Sequence, residues 1–324
     1  MDVLLQVMLL MFSVSTRGQN KSCRRSLIPR PDVSDLKSTF MSYWGTYHPP
    51  PFNVPELEAI SAQFKNLTCG TMDYDPAKAI INGTIVPEKG WPWHVTIFGV
   101  YKYGRGTPFC GAILISRFLA ITAAHCKDSF AYAKLGVSEQ CSFAPCQQFR
   151  RLGGRYKSHT NYSQTVNSAR DDIALLDLSE KANFNQYVRP VCLPWTDVTH
   201  MDNCYIVGFG YDTLVDADNR SRKLLQAKVR WVQQDVCRTY GRINKMSLDT
   251  RVECFQCVDP GVFPCAGDAG SGVYCKDKGY WTLVGIVSER VNKCDESPTF
   301  HVDVFMYMKW ILDNAIDLLQ GRAP

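Results

Sequence analysis

The chain has 324 residues, of which 45% are hydrophobic, 12% aromatic and 21% charged, and its formal net charge is +5. This composition is typical of a globular protein with a sizeable core and excludes a disordered polyelectrolyte. We expect one large domain with an additional segment.

The first residues are typical of a secretion signal. Residues 3–15, VLLQVMLLMFSVS, form an apolar run that ends in small residues, although Asp2 is acidic. The run is shorter than the roughly 20 apolar residues that a membrane span needs. We predict a signal peptide over residues 1–18, the alternative being a buried N-terminal helix.

Cysteines and glycosylation sequons also indicate export. The 14 cysteines are spread along the whole chain and form an even number, which suits an oxidising compartment. We therefore predict a secreted, extracellular glycoprotein without a membrane span. The sequons begin at Asn20, Asn66, Asn82, Asn161 and Asn219.

Residues 19–79 differ in texture from the rest of the chain. They contain the proline run HPPPF, a short helical pattern in VPELEAISAQF, and only Cys23 and Cys69 among the cysteines. We interpret this stretch as a propeptide-like extension that packs on the main body, which spans residues 80–324.

From Ile80 onward the pattern is that of an all-β protein. Short runs rich in β-branched and aromatic residues alternate with Gly, Asn, Asp and Pro, as in HVTIFGVYKYG, CGAILIS, DIALLDL, CYIVGFG and WTLVGIVS. Such spacing favours barrels or sandwiches. Only the tail, FMYMKWILDNAIDLLQG, has helical periodicity.

Three motifs carry residues suited to acyl transfer. ITAAHC supplies His125, DDIALL supplies Asp172, and CAGDAGSG forms a glycine-rich turn around Ala269. Serine hydrolases combine an imidazole base, a carboxylate that orients it, a hydroxyl nucleophile and backbone N–H donors for the oxyanion. The order His, Asp, then GDxG is one of the chain orders known for that geometry.

From Ile80 to about Leu319 the chain resembles the trypsin and chymotrypsin family of secreted serine endopeptidases. TAAHC, DIALL, VRPVCLP, CYIVGFG, CxGDxGSG, LVGIVS and YMKWI occur in the family's order. The resemblance implies two antiparallel six-stranded β-barrels with a C-terminal α-helix and an active site between the barrels.

The resemblance also implies residue roles. His125 matches the general base, Asp172 its orienting carboxylate and Gly267 an oxyanion donor. Asp268 matches the carboxylate that pairs with the new N-terminus in activated members. Ala269 stands where the family has its nucleophilic serine.

Because a methyl group cannot attack a carbonyl, we expect no endopeptidase activity. A nucleophilic Ser271 is an alternative, but two residues of chain shift a side chain by up to about 7 Å, whereas a base must lie within about 3 Å of its proton. The rival reading is an active endopeptidase whose Ala269 is an introduced change or a sequence error.

The specificity pocket and the activation site also depart from the family. Phe263 stands where trypsin-like members have Asp, Arg290 and Thr299 stand at glycine positions, and we expect a closed or reshaped pocket. IING, beginning at Ile80, resembles the activated N-terminus, but Ala79 precedes it and Asn82 begins a sequon. We therefore favour a permanent single chain, with cleavage after Ala79 as the alternative.

Disulfide pairings implied by the resemblance leave some cysteines open. Cys23 and one of Cys254 or Cys257 remain unassigned, and Cys141 and Cys146 would close a small loop. The implied pairs are Cys110–Cys126, Cys204–Cys275, Cys265–Cys294, Cys69–Cys192, and Cys237 with either Cys254 or Cys257.

Because Ala269 replaces the nucleophile, we predict function through binding. We expect no cofactor or metal, because the sequence contains no phosphate loop and no zinc-type Cys/His spacing. Expected partners are extracellular proteins such as proteases, inhibitors or receptors, and not nucleic acid. Two basic clusters could attract glycosaminoglycans or another anionic surface, the alternative being a solvated face. They are Arg150, Arg151, Arg155 and Lys157, and Arg220, Arg222, Lys223, Lys228 and Arg230.

Overall fold

The computed structural model describes residues 69–76, 84–99, 108–127, 130–138, 147–150, 156–163, 170–178, 180–194, 201–210, 223–246, 248, 250–264, 267–288 and 297–320. These residues belong to one compact unit, Leu67–Pro324. The signal peptide, most of the extension, and the candidate residues Ile80 and Arg290 lie outside the described residues.

Seven antiparallel strands form the N-terminal sheet. Its order is β6-β5-β2-β3-β4-β8-β7. Strand β2 lies between β3 and β5 and is buried along its whole length. The strands are β2 (His94–Gly99), β3 (Pro108–Leu114), β4 (Leu119–Thr122), β5 (Phe130–Leu135), β6 (Gln147–Arg150), β7 (Tyr156–Ser158) and β8 (Ala174–Asp177).

The C-terminal sheet closes on itself. Its order is β1-β10-β11-β14-β13-β12-β9, and an additional pairing of β9 with β10 completes a six-stranded barrel. The seventh strand of this sheet, β1, is not part of the barrel and pairs with β10. The strands are β1 (Thr84–Ile85), β9 (Cys204–Gly208), β10 (Leu225–Val232), β11 (Val252–Cys257), β12 (Gly272–Asp277), β13 (Tyr280–Val287) and β14 (Thr299–Asp303).

The expected all-β architecture is confirmed by these two sheets and by a C-terminal helix, α2 (Met308–Gln320). A second helix, α1 (Gln234–Ile243), was not predicted, so the expectation that only the tail is helical was wrong. Helix α1 is short and mostly polar, and it buries only Cys237 and Gly241. Its apolar residues Val236, Cys237, Tyr240 and Ile243 do recur at helical spacing, but ten residues are too short a stretch for this pattern alone to identify a helix.

The main core is built around aromatic rings. Trp91 is 1% exposed and stacks on Tyr274 with 5.2 Å between ring centroids. Its indole N–H donates to Gln226 Oε1 at 2.6 Å, so the polar edge of the ring is satisfied in the core. Trp93 and Trp281 complete the cluster through edge contacts.

Four disulfides stabilise the described part of the chain. They include Cys69–Cys192, which attaches the extension, and Cys237–Cys254, which attaches α1 to β11. The choice left open for Cys237 is therefore settled in favour of Cys254, and Cys257 is a free thiol. Burial, with the nearby Asp268 and Asp259, raises the pKa of Cys257 to about 12.

The other pairs in the described residues, Cys110–Cys126 and Cys204–Cys275, are those that the resemblance implies. The candidate pairs Cys265–Cys294 and Cys141–Cys146 lie outside the described residues, as does Cys23.

Residues 69–76 of the extension pack against the body beyond their disulfide. The backbone N–H of Gly70 donates to Pro190 O at 2.9 Å, and Trp281 N–H donates to Gly70 O at 2.9 Å. Arg189 forms an ion pair with Asp73 at 3.1 Å. These contacts join the extension to β13 and to the segment that follows β8.

Candidate active site

His125 and Asp172 lie side by side. His125 lies on a 3-10 turn, Ala124–Lys127, directly after β4, and the neighbouring Cys126 is bonded to Cys110. Asp172 lies just before β8, which pairs with β4. The sheet therefore brings together two residues that are 47 positions apart, and His125 Nδ1 lies 2.8 Å from Asp172 Oδ2.

The Asp172 carboxylate is almost completely enclosed. Its side chain is 2% exposed, whereas that of His125 is 29% exposed. The backbone N–H of His125 donates to Oδ1 at 2.9 Å, and the hydroxyl of Ser288 donates to Oδ2 at 2.6 Å. Burial alone would raise the pKa of Asp172, but the hydrogen bonds and charge of His125, together with Ser288, lower it below its ordinary value. An ionised Asp172 holds Nδ1 of His125 as the donor, which leaves Nε2 as the basic nitrogen.

The glycine-rich turn lies next to Gly111 and to Cys126, the neighbour of His125. Gly111 N–H donates to Ala269 O at 2.7 Å, and that oxygen is 3.9 Å from the sulfur of Cys126, the neighbour of His125. Gly267 and Gly270 have φ of +100° and +75°, which residues with a Cβ rarely adopt. A Cβ on Gly270 would lie 2.4 Å from Gly111 O, so this position requires glycine for space as well.

Ser271 does not serve as a substitute nucleophile in this geometry. It is 0% exposed, and its hydroxyl points at the backbone of Gly111, where a Cβ would lie 2.1 Å from Oγ. A buried hydroxyl that faces a neighbouring strand cannot reach a carbonyl in the cleft. The structure therefore argues against the Ser271 alternative.

Asp268 is enclosed by backbone. Gly210 N–H donates to its Oδ1 at 2.9 Å, and Cβ atoms on Gly208 and Gly210 would lie 2.0 and 2.1 Å from its oxygens. Both glycines of the CYIVGFG motif are therefore needed for the carboxylate to approach the strand. The candidate partner Ile80 lies outside the described residues.

Two of the three candidate pocket residues can be placed. Phe263 is partly exposed, and Thr299 is buried at the start of β14. The Thr299 hydroxyl lies 2.7 Å from Nε2 of His301 and 3.2 Å from Phe255 O. His301 is 0% exposed, and burial lowers its pKa to about 3, so the imidazole beside Thr299 is neutral.

Sequence reasoning did not identify several residues of the site. The sequence did not point to Ser288 as a donor to Asp172, nor to His301 beside Thr299. Asp171, the other carboxylate of the DDIALL motif, is also buried beside the pair. The doubled Asp is a signal in the sequence, but it does not reveal which donors each carboxylate meets.

Of the candidate glycosylation sites, only Asn161 lies among the described residues. It is exposed in a turn after β7, and its N–H lies 3.3 Å from His159 Nδ1. The potential metal ligands that cluster in the described part are Cys110, His125 and Cys126. The two sulfurs are bonded to each other and so are not thiolate ligands.

Within the described ranges, no helix is long and apolar enough to cross a membrane. In sequence, the chain is similar to transmembrane protease serine 9 of Rattus norvegicus, with 30% identity over 227 residues. The match covers 68% of this chain, but the chain spans only 20% of the length of that relative. The family model Trypsin matches residues 80–311. With the two-sheet fold and the paired His125 and Asp172, this match means that the chain belongs to the trypsin family.

Proposed function

We propose that this chain is a secreted trypsin-family protein that does not cleave peptide bonds and acts by binding other extracellular proteins, as a cofactor, decoy or regulator of proteolysis. The observation that carries the proposal is Ala269 in the glycine-rich turn, at the position that matches the nucleophilic serine of the family. An intact imidazole and carboxylate have no hydroxyl to activate, and such sites retain only a residual acceleration of roughly 10³- to 10⁴-fold over water.

The retained pair has a structural explanation that does not require catalysis. Asp172 is buried and charged, and removing one of its partners would leave hydrogen-bonding capacity unsatisfied. His125 and Ser288 together meet that requirement. The pair can therefore persist in a binding protein.

Labelling with a fluorophosphonate tests the loss of activity. We expect no covalent label on the wild-type protein, before or after cleavage at Ala79, because Ala269 has no hydroxyl and Ser271 is buried. The Ala269→Ser variant restores a hydroxyl at that position and is expected to label once cleaved. His125→Ala in the Ala269→Ser background is the matched control and should abolish labelling.

Two results would contradict this proposal. Stoichiometric labelling of the wild type that disappears in Ser271→Ala would make Ser271 the nucleophile. A serine codon at position 269 in the native transcript would favour the alternative, an active endopeptidase with an altered sequence.

The binding role requires its own test. The purified chain is added to a trypsin-like protease and, separately, to that protease with a protein inhibitor. A regulator changes kcat/KM of the protease, and a decoy restores activity by occupying the inhibitor. No change in either assay at concentrations above those of the protease and inhibitor would remove support for the proposed role.

We further propose that the chain stays uncleaved at Ala79. Asn82 would place a glycan three residues after the scissile bond, and Asp268 already accepts the N–H of Gly210. N-terminal sequencing of the reduced native protein should give one sequence near residue 19. A second sequence beginning at Ile80 would show instead that cleavage occurs.

Affinity for an anionic surface is a weaker, second proposal. Lys223, Lys228 and Arg230 of the second basic cluster are exposed on and before β10. Binding to heparin should weaken steeply with added salt, because charge attraction is screened. Substituting these three residues by Gln should remove that binding.

A further inference from the structure

Asp171 is a buried carboxylate beside Asp172 with an unusual backbone. Its side chain is 0% exposed, and its φ is +58°. Asp is one of the few residues besides glycine that adopt this left-handed conformation, because its short side chain can hydrogen-bond nearby. The contacts of the Asp171 carboxylate therefore bear on its backbone conformation.

Three donors from separate parts of the chain hold this carboxylate. The hydroxyl of Tyr307 donates to Oδ1 at 2.8 Å, and Arg251 donates to Oδ1 at 2.7 Å. Arg170 Nε donates to Oδ2 at 3.0 Å. Tyr307 precedes α2 and Arg251 precedes β11, so both come from the C-terminal half of the chain.

The backbone of Asp171 is fixed at the same point. Its N–H donates to the Tyr307 hydroxyl oxygen at 3.1 Å, so that one hydroxyl both donates to and accepts from Asp171. Burial, then the hydrogen bond and charge of Asp171, raise the pKa of Tyr307, so the phenol stays protonated and remains a donor. His159 packs edge-on against the Tyr307 ring at 5.5 Å.

Asp172 lies at the centre of a tight turn that Asp171 begins. Ile173 N–H donates to Asp171 O at 2.9 Å, which closes a three-residue turn around Asp172. Such a turn leaves little freedom at its central residue. The direction in which the Asp172 carboxylate leaves the backbone therefore depends on the conformation of Asp171.

We infer that Asp171 is a positioning residue, whose carboxylate, anchored by Tyr307 and Arg251, holds the turn that points Asp172 at His125. The anchor links the start of the C-terminal helix to the pair in the cleft. This inference concerns the geometry of the pair and goes beyond the proposed function, because it holds whether or not the chain hydrolyses peptides.

The test is NMR of the His125 imidazole in the full secreted chain. The proton on Nδ1, shared with Asp172, gives a downfield resonance, and its titration reports the pKa of His125. We expect Tyr307→Phe, which keeps the ring and removes only the hydroxyl, to broaden or shift this resonance upfield and to lower the pKa of His125. Asp171→Asn should act in the same direction and more strongly.

Two further variants separate positioning from general damage. Tyr280→Phe, which removes a hydroxyl at the start of β13, should leave the resonance unchanged. Asp171→Gly permits a positive φ without a carboxylate and should still lose the resonance if the side chain is the anchor.

An unchanged resonance and pKa in folded Tyr307→Phe and Asp171→Gly would overturn the inference. Fluorophosphonate labelling of the wild type, by contrast, would overturn the proposed function and leave this result untouched. The two failures are therefore distinguishable.

Discussion

At Asp172, an almost completely buried carboxylate keeps its charge because three donors surround it. Two come from His125 and one from Ser288. The favourable hydrogen bonds outweigh the cost of burial, so the pKa lies below its ordinary value. Because these hydrogen bonds offset the cost of burying the charge, loss of any one donor should lower the stability of the folded protein.

We expect Ser288→Ala to lower the free energy of unfolding by about 1–3 kcal/mol, because it leaves a buried charged acceptor with one donor fewer. The pKa of Asp172 is lower in the folded than in the unfolded state, so its contribution is complete above pH ~4 and is lost as pH falls through the folded value. Without Ser288 the folded pKa rises toward the unfolded value, so the loss of stability on acidification is smaller and ends at a higher pH. Urea unfolding between pH 2 and 6 with intact disulfides measures both effects, and the exposed Thr250→Ala variant should change neither.

At the scale of elements, the extension behaves as part of the body where it meets β13. Gly70 has φ of +61°, and a Cβ there would lie 2.3 Å from the carbonyl oxygen of Trp281. Only glycine lets this backbone come close enough for Gly70 O to accept the N–H of Trp281 at 2.9 Å. The disulfide at Cys69 then adds to an interface that already requires close approach.

Gly70→Ala should therefore destabilise the protein by more than the ~1–2 kcal/mol cost of a left-handed backbone alone. Gly261→Ala is the matched control, because Gly261 has φ of +75° and no atom within 4 Å of an added Cβ. Thermal unfolding measures the loss of stability in each variant, and the difference between the two losses is the cost of the contact between the added Cβ and Trp281 O. Equal losses would mean that residues 69–76 are not closely packed on β13.

For the whole molecule, burial of neutral imidazoles in the two sheets makes stability depend on pH. His94 in the N-terminal sheet and His301 in the C-terminal barrel both have a pKa lowered to about 3 by burial. His94 packs against the ring of Phe209, and His301 faces Phe255 and Thr299. In the register of β11 and β14, the backbone of His301 lies opposite that of Glu253.

Because the folded pKa of each histidine is below the unfolded value of about 6.5, stability is complete above pH ~6.5 and falls as pH drops toward 3. Each histidine contributes a slope of up to ~1.4 kcal/mol per pH unit in that window. We expect His94→Gln to reduce the slope of unfolding free energy between pH 6 and 4.5, above the range where Asp172 titrates. A slope equal to that of the wild type would show that His94 is not buried as a neutral group.

The strands could be predicted because their residues have strong local preferences. HVTIFG, CYIVG and YWTLVGIV all form strands, and the tail forms α2. Helix α1 was missed because it is only ten residues long, too short for its pattern to stand out, and because its attachment through Cys237–Cys254 is a tertiary contact.

By itself, the sequence determined the family, the all-β class, three of the four disulfide pairs seen in the described residues with the partner of Cys237 left open, and the candidate triad positions with Ala269 in place of serine. These follow from short motifs, whose residue types and order are visible without a fold. Tertiary structure decided that Cys254 pairs with Cys237, that Ser271 faces Gly111, and that Ser288 and Asp171 support the pair. Such contacts join residues far apart in the chain, and only the packing of the two sheets selects which donor meets which carboxylate.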